Sequence, residues 1–220
     1  MEPQAGATAV NLILAWGAPV VLLLVVSIRY FQRRRKRARV AAVRDQHRAA
    51  GGDRAAHNNM RRADRTITDP ARIDAILQSA TVCRLAFAIA NEPYVVPLSF
   101  GVAGATPYRL YFHAAPSGRK LDMMRENPRV CFEVEGRAEL QPGEGTCDWT
   151  MIYESIIGYG RLTEVSDPGE KRSGLECIMR HHGAEGPFDF PDAMLATTAV
   201  IRLDVTELTG KSNRQEGEES

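Results

Sequence analysis

Two adjacent cations, Arg119 and Lys120, stand where a short helix is expected to begin. A Pro-Ser-Gly turn ends at Gly118 just before them, and Pro128 stops the helical pattern. The first N–H groups of a helix are unpaired and its amino end is partly positive, so cations there are unfavourable on their own. A phosphate or other anion, bound between these cations and the free amides, would explain them. Ordinary solvated surface cations are the alternative, and the spacing alone does not separate the two readings.

The strands expected before this helix carry another residue that could do chemistry. Two apolar runs, Tyr94–Phe100 and Leu110–Ala114, flank a turn at Gly101–Pro107, and this pattern predicts two adjacent antiparallel strands. The second run contains His113, shortly before the turn that leads to Arg119. A lone histidine in a strand rich in Tyr and Phe is often structural, whereas a histidine beside a ligand can move a proton.

The order of these motifs resembles the flavin-binding split-barrel proteins related to pyridoxamine 5'-phosphate oxidase. Within that family the chain looks most like the branch of 5-nitroimidazole resistance, or nitroreductase-like, proteins. Each matching piece is weak alone, but their order and spacing extend from Met60 to about Ser212. The matching segments are Val95–Gly101, Leu110–Leu121, Asn127–Val134, Tyr153–Gly160, Glu170-Lys171 and Thr209–Lys211.

The resemblance implies an FMN cofactor and a place for it. It implies that Arg119 and Lys120 hold the FMN phosphate, with Ser117 as a further donor. Phe112 and His113 would border the isoalloxazine, and His113 would donate to the ring or pass a proton to a substrate. The edge of the ring would be read by backbone groups of Val96, Pro97, Leu98 and Ser99.

The resemblance also concerns assembly and reaction. Members of the family are generally homodimers with FMN at the subunit interface, so Tyr153 and Ser155 are expected at the partner's flavin. The carboxyl-terminal arginine pattern that true pyridoxamine-phosphate oxidases use to grip their substrate is not evident. We therefore predict an FMN-dependent oxidoreductase that reduces a nitroaromatic or quinone-type molecule, rather than an enzyme of vitamin B6 oxidation.

Two alternatives to that function stay open at this point. The same fold could bind haem or deazaflavin in place of FMN, and His113 is the candidate axial ligand of a haem. The chain could also be a noncatalytic module that binds flavin, or nothing, and serves as an interaction partner. Fold-level likeness does not fix a substrate.

The amino-terminal quarter of the chain has a different composition from the rest. Residues 10–28 are almost wholly apolar, and nine arginines with Lys36 then stand between Arg29 and Arg54 against two acids. An apolar stretch of this length predicts a single transmembrane helix at 10–28. Basic residues after the span predict an external amino terminus at 1–9, a basic juxtamembrane linker at 29–59 and a cytoplasmic main domain. Two alternatives to a transmembrane helix are a peripheral helix on the membrane surface and a protein whose true start is Met60.

The basic segment Gln32–Arg48 invites comparison with nucleic-acid-binding arms. It has no interleaved aromatic residues and the rest of the chain is not basic, so no specific nucleic-acid partner is expected. Arginines next to a membrane helix are explained by anionic lipid headgroups. Metal binding is not expected either, because the four cysteines have no Cys-x-x-Cys spacing and the His181-His182 pair suits a helix carboxyl end.

The remaining pattern predicts an α+β domain over residues 60–212, followed by a disordered acidic tail at 213–220. One helix should begin after Asp69 with Pro70 in its first turn, and another should begin after Asp167 and end at Gly183. Six strands and a few short helices indicate a small split β-barrel. The predicted strands are Val82–Ala90, Val95–Phe100, Leu110–His113, Val130–Val134, Ile156–Leu162 and Val200–Leu208.

Overall fold

A computed structural model describes residues 61–213 of the chain. The predictions for 1–9, 10–28, 29–59 and the tail after Asn213 therefore lie outside the described residues. Asn213 itself is held to the domain, because its side-chain oxygen accepts a hydrogen bond of 2.9 Å from the backbone N–H of Tyr153. Between residues 61 and 213 no helix is both long and apolar enough to span a bilayer.

The described residues form an antiparallel sheet of eight strands with four α-helices, an α+β arrangement. A 3₁₀ turn at Ala63–Arg65 precedes the first strand. The helices are α1 Pro70–Ser79, α2 Arg119–Glu126, α3 Pro168–His181 and α4 Asp192–Thr197. The strands are β1 Thr66–Ile67, β2 Val82–Ile89, β3 Glu92–Ser99, β4 Gly101–Ala103, β5 Arg109–Ala114, β6 Arg129–Gln141, β7 Thr150–Val165 and β8 Ala199–Ser212.

The sheet curls back on itself at Phe100. Its strands follow the order β3-β2-β6-β7-β8-β5-β4, with β1 paired to β8, so β3 and β4 are at opposite ends of that order. Phe100 alone separates them in the chain, so the two ends of the sheet must meet at this residue. The Phe100 side chain is fully buried in the core, where its ring centre lies 6.4 Å from that of Phe112. The result is the predicted split barrel.

The predicted pairing of the two apolar runs around Gly101–Pro107 is wrong. β3 pairs with β2, whereas β5 pairs with β4 and with β8. The chain therefore leaves one edge of the sheet at Ser99 and enters the other at Gly101. The hairpin that β3 does form has a two-residue loop, Ala90 and Asn91, both with positive φ (49° and 67°). Such a loop fits the right-handed twist of two antiparallel strands. It could not be predicted from the sequence, because alanine is not typical of a turn with positive φ.

The core lies inside the curled sheet and is closed on one side by α1. Inward residues alternate along the strands, as Cys83, Leu85 and Phe87 do on β2. Helix α1 begins as predicted, with Asp69 accepting a 2.9 Å hydrogen bond from the N–H of Ala71. Its buried face carries Ile73, Ile76 and Leu77.

Two further local predictions are confirmed. Asp167 caps α3 through a 2.7 Å hydrogen bond from the N–H of Glu170, and the chain turns at Gly183 with φ of 82°. On β7, a register shift between Tyr159 and Gly160 marks a β-bulge. A Cβ at Gly160 would lie 2.5 Å from the Asp204 carbonyl oxygen, so the strands pack closely there.

Candidate functional site

The amino end of α2 is open to a ligand. Gly118, with φ of 131°, is the N-cap residue, and no side chain caps the helix there. The N–H groups of Leu121 and Asp122 both donate to the Gly118 carbonyl oxygen at 3.0 and 3.1 Å. The earlier N–H groups, those of Arg119 and Lys120, are the ones that a helix end leaves for an anion. A Cβ at Gly118 would have no atom within 4 Å, so space is open at this turn.

Arg119 connects this helix end to the start of β3. Its guanidinium lies 4.5 Å from the centre of the Tyr94 ring, and it makes a 3.5 Å ion pair with Glu92. Both members of the ion pair are exposed, so the pair is weak and a stronger anion can displace it. The contact with Tyr94 holds the Arg119 side chain beside the helix end.

Lys120 is a half-buried cation without an acidic partner. No carboxylate within residues 61–213 forms an ion pair with it, and burial lowers the pKa of its ammonium. Retaining a desolvated charge at the positive end of a helix is unfavourable unless an anion is bound there. Lys120 and the open helix end therefore define a candidate anion site, at the place where the sequence predicts one. Ser117 lies on the exposed turn just before it.

The stretch predicted to read the flavin ring is an edge strand. β3 pairs only with β2 among the described strands, so one side of its backbone makes no ladder hydrogen bonds there. Val96 and Leu98 are half-buried and pack on the core, whereas Pro97 and Ser99 are exposed. A ligand along this edge would therefore meet the backbone groups of alternate residues and the exposed side chains of Pro97 and Ser99.

Phe112 and His113 have opposite orientations on β5. Phe112 is fully buried in the core, so its side chain cannot border a ligand outside the barrel. His113 is exposed and stands opposite Val200 of β8. Only the outward residue, His113, is thus available to a flavin or a substrate at this end of β5.

Tyr153 and Ser155 lie elsewhere on the same sheet. Both are half-buried residues of β7, on the outer face that Ile157 and Tyr159 share. β2 and β6 intervene between β3 and β7, so the two groups are separated by roughly 14 Å at the usual strand spacing. Within one chain, the structure therefore does not bring Tyr153 and Ser155 to the Arg119 and Lys120 site.

The outer face of the sheet carries exposed apolar side chains. Val95, Ala86, Cys131 and Tyr159 stand side by side across β3, β2, β6 and β7 in one register row. Val95 is 57% exposed and Ile157, in the next row of β7, is 47% exposed. Cys131 is half-buried on this outer face. A row of apolar residues facing outward marks a surface that a partner can cover.

Several neighbours of the site could not be found from the sequence. Tyr94 and Glu92 contact Arg119 only because the β2–β3 hairpin brings the start of β3 to α2. Arg65, which donates a 3.2 Å hydrogen bond to the Tyr153 hydroxyl, stands 88 residues away from it in the chain. Of these neighbours, only Lys211 was indicated by the sequence, because it ends a segment that matches the family. In the structure its ammonium lies 5.8 Å from the centre of the Tyr153 ring.

The predicted structural role of His181 agrees with its contacts. Its Nε2 group donates a 2.7 Å hydrogen bond to the Ala80 carbonyl oxygen, and its ring lies 4.6 Å from that of Phe100. Nδ1 is buried without a partner, and burial lowers the pKa of the imidazole. His181 lines a cleft of about 380 Å³ between α1, β4 and α3. Within residues 61–213, no three His, Cys, Asp or Glu side chains are grouped as metal ligands would be.

The curled antiparallel sheet with a few helices places the chain in the class of split-barrel proteins. Residues 69–212 match the family model described as pyridoxamine 5'-phosphate oxidase, and the chain belongs to this family. It is also similar to a solved structure of a proposed 5-nitroimidazole antibiotic resistance protein from Bacteroides thetaiotaomicron. The two are 31% identical, over 67% of this chain and 86% of that one, with a TM-score of 0.59. The predicted family membership is confirmed.

More distant structures share the fold. The flavocytochrome Anf3 from Azotobacter vinelandii is 20% identical over 71% of this chain and 72% of that chain, with a TM-score of 0.59. The FAD and heme binding protein from Mycobacterium smegmatis is 15% identical over 71% and 77%, with a TM-score of 0.57. A curated but uncharacterized protein of Rhizobium meliloti (strain 1021) is 28% identical over 90 residues, 41% of this chain. The match spans half of that relative's length.

Proposed function

We propose that this protein is a flavoprotein whose FMN phosphate is held at the amino end of α2. The observation that carries the proposal is Lys120, a half-buried cation without an acidic partner among the described residues, beside an uncapped helix end. Arg119 supplies a second cation there and can exchange its exposed pairing with Glu92 for a phosphate. Ser117 can add a hydroxyl donor. Membership of the pyridoxamine 5'-phosphate oxidase family supports a flavin as the ligand.

The rest of the flavin would then lie along the free edge of β3. Backbone groups of alternate residues face the same side of a strand, and Pro97, which has no N–H for the β2 ladder, faces this edge together with Ser99. The edge therefore offers the carbonyl groups of Pro97 and Ser99 and the N–H of Ser99, whereas the polar backbone groups of Val96 and Leu98 face β2. Proline is tolerated on this strand because its outer edge is unpaired. A bound flavin supplies the redox chemistry, and the protein positions it and tunes its surroundings.

We propose that the activity is an FMN-dependent reduction of a small nitroaromatic or quinone-type molecule. His113 supports a role in proton delivery because its imidazole is exposed at the end of β5. The likeness to the proposed Bacteroides resistance protein supports the nitro substrate class. The same exposed imidazole would also serve as an axial ligand if the cofactor were haem, and the spectrum of the loaded protein separates the two cofactors.

We further propose a homodimer that covers the outer face of the sheet. The support is the apolar row of Val95, Ala86, Cys131 and Tyr159, continued by Ile157. In such a dimer Tyr153 and Ser155 would approach the partner's flavin, which explains their distance from Arg119 and Lys120 in one chain.

Membrane anchoring through residues 10–28 rests on the sequence alone and is tested by fractionation of cells that express the full chain.

The experiment that tests the flavin site is a titration of the full chain with FMN, FAD and riboflavin. We expect a bound flavin spectrum with FMN, and at least tenfold weaker binding of FMN to the Lys120→Met variant. Riboflavin, which has no phosphate, should bind the two proteins equally. Arg125→Gln is the matched control, because it removes one charge from the carboxyl end of the same helix, where Arg125 pairs with Glu164. Equal FMN affinity in Lys120→Met and the unsubstituted protein would contradict the proposed site.

A further inference from the structure

A second group of hydrogen-bond donors lies on the outer face near β1. The guanidinium of Arg65 donates to the Tyr153 hydroxyl at 3.2 Å, and the Lys211 ammonium lies 5.8 Å from the centre of the Tyr153 ring. Ser155 stands directly opposite Lys211 in the β7–β8 register. Lys211 in turn stands opposite Thr66 of β1, the residue that follows Arg65. Three strands therefore bring two cations and two hydroxyl groups together.

Nearby carboxylates balance the charges of these two cations only in part, through the charge of Asp64 acting on Arg65. Neither Arg65 nor Lys211 forms an ion pair within the part of the chain that the structure describes. Asp64 precedes Arg65, but its carboxylate accepts hydrogen bonds from Arg62, the shortest of them 2.6 Å. The other acids nearby are engaged as well: Glu135 pairs with Arg84 at 3.5 Å, and Glu154 pairs with Arg72 at 2.5 Å.

The phenol between the cations responds to their charge. Burial on its own raises the pKa of Tyr153, but the hydrogen bond from Arg65 and the charge of Lys211 outweigh it. The pKa of Tyr153 consequently lies below the ordinary value for tyrosine. All three side chains are half-buried, so this positive region is less screened than exposed surface lysines would be.

We propose that Arg65, Tyr153 and Lys211 form a second anion-binding site, which takes the carboxylate or phosphate group of a small molecule. Arginine and lysine offer donors only, and a guanidinium can bind two oxygens of one oxyanion at once. The Tyr153 and Ser155 hydroxyls add two donors of adjustable direction. An oxyanion bound here would be attracted by both cations, neither of which has an ion-pair partner among the described residues.

This site is distinct from the one at the amino end of α2. β2 and β6 separate β7 from β3, and none of the three residues belongs to α2 or β3. The inference therefore stands without the flavin proposal, and each site can be tested while the other stays intact. On the outer face proposed for the dimer contact, the site would place an anionic ligand next to the partner subunit.

The test measures binding of inorganic phosphate and of benzoate to the cofactor-free full chain by ligand-observed nuclear magnetic resonance. We expect two phosphate sites per chain, of which Lys120→Met removes one and Lys211→Met or Arg65→Gln removes the other. Benzoate affinity should fall at least tenfold in Lys211→Met and stay unchanged in Lys120→Met. Arg161→Gln is the matched control because it removes one cation from the exposed end of β7, away from Tyr153.

Two results of these measurements would overturn the proposal: unchanged benzoate and phosphate binding in both Lys211→Met and Arg65→Gln, or an equal loss in Arg161→Gln. Methionine keeps the length of the lysine stem, and thermal unfolding of each variant shows whether the fold is retained. If one of the two variants does not fold, the binding measured with the other variant tests the proposal. FMN and riboflavin titrations then identify the source of the anion. A tenfold loss of FMN binding without loss of riboflavin binding in Lys211→Met would show that both groups of cations hold the one flavin phosphate across a dimer, and would overturn a separate second site. Unchanged FMN binding assigns the anion to a separate small molecule.

Discussion

Arg119 places its guanidinium 4.5 Å from the centre of the Tyr94 ring. The two residues are brought together by the β2–β3 hairpin, which starts β3 beside the amino end of α2. A guanidinium held over an aromatic face is restrained without being neutralised. Arg119 is therefore held near its ligand-binding position while its charge stays available.

The Tyr94→Leu variant should bind FMN about threefold to fivefold more weakly, because Arg119 loses its restraint and a contact of about 0.5–1 kcal/mol. Leucine preserves apolar contact with Phe87, whose ring centre lies 6.1 Å from that of Tyr94. Glu92→Gln should have the opposite effect, since it removes the exposed acid that pairs with Arg119. Fluorescence titration with FMN measures both. Weaker FMN binding to Glu92→Gln would show that Glu92 orients Arg119 rather than competes for it.

Stability should depend on His181 below neutral pH. Burial lowers the pKa of this imidazole in the folded protein, so between about pH 6.5 and that lower value the unfolded chain binds more protons. The free energy of unfolding is then greatest above this pH window and decreases as the pH falls through it. Because one proton is involved, the decrease is at most about 1.4 kcal/mol per pH unit. Urea unfolding at pH 7.5, 6.5 and 5.5 measures this decrease.

The His181→Gln variant should lose part of that pH dependence while its amide still reaches the Ala80 carbonyl oxygen. His113→Gln serves as the control, because His113 is exposed on β5 and does not contribute to the lowered pKa of His181. An identical pH profile for His181→Gln and the unsubstituted protein would assign the decrease to other groups.

Sequence patterns predicted the helix caps at Asp69 and Asp167 because capping depends on residues a few positions apart. They failed at Phe100, where two edges of the sheet meet, since an apolar run does not show where a strand changes its partner. The family resemblance implied that Phe112 borders the ligand, whereas its side chain is buried in the core, and the period of two assigns Phe112 and His113 to opposite faces. The Arg65–Tyr153 contact spans 88 residues and depends on the register of β1, β8 and β7, so no local pattern contains it.

The glycines of β7 should be sensitive to a single methyl group. A Cβ at Gly158 would lie 2.4 Å from the Phe132 ring and 2.7 Å from the Glu207 carbonyl oxygen, so either the core or the backbone must shift. We expect Gly158→Ala to lower the free energy of unfolding by about 1–3 kcal/mol. Gly169→Ala, in the first turn of α3, should change stability much less, because its Cβ would meet only the exposed Asp167 side chain, at 3.2 Å from Oδ1, which can shift slightly. Urea unfolding compares them, and equal stability of both variants would contradict the close packing.

The homodimer should depend on the apolar row of the outer face. Ile157→Lys puts a charge where a partner would cover Ile157, and burying that charge without a counterion is costly, so we expect a monomer. Met179→Lys is the matched control: Met179 is 42% exposed, close to the 47% of Ile157, but lies on α3. Light scattering after size-exclusion chromatography gives the mass of each. If Tyr153 and Ser155 contact the partner's flavin, FMN binding must weaken in Ile157→Lys as well, although Arg119 and Lys120 are unchanged. A dimeric Ile157→Lys protein with full FMN affinity would place the dimer contact on another surface.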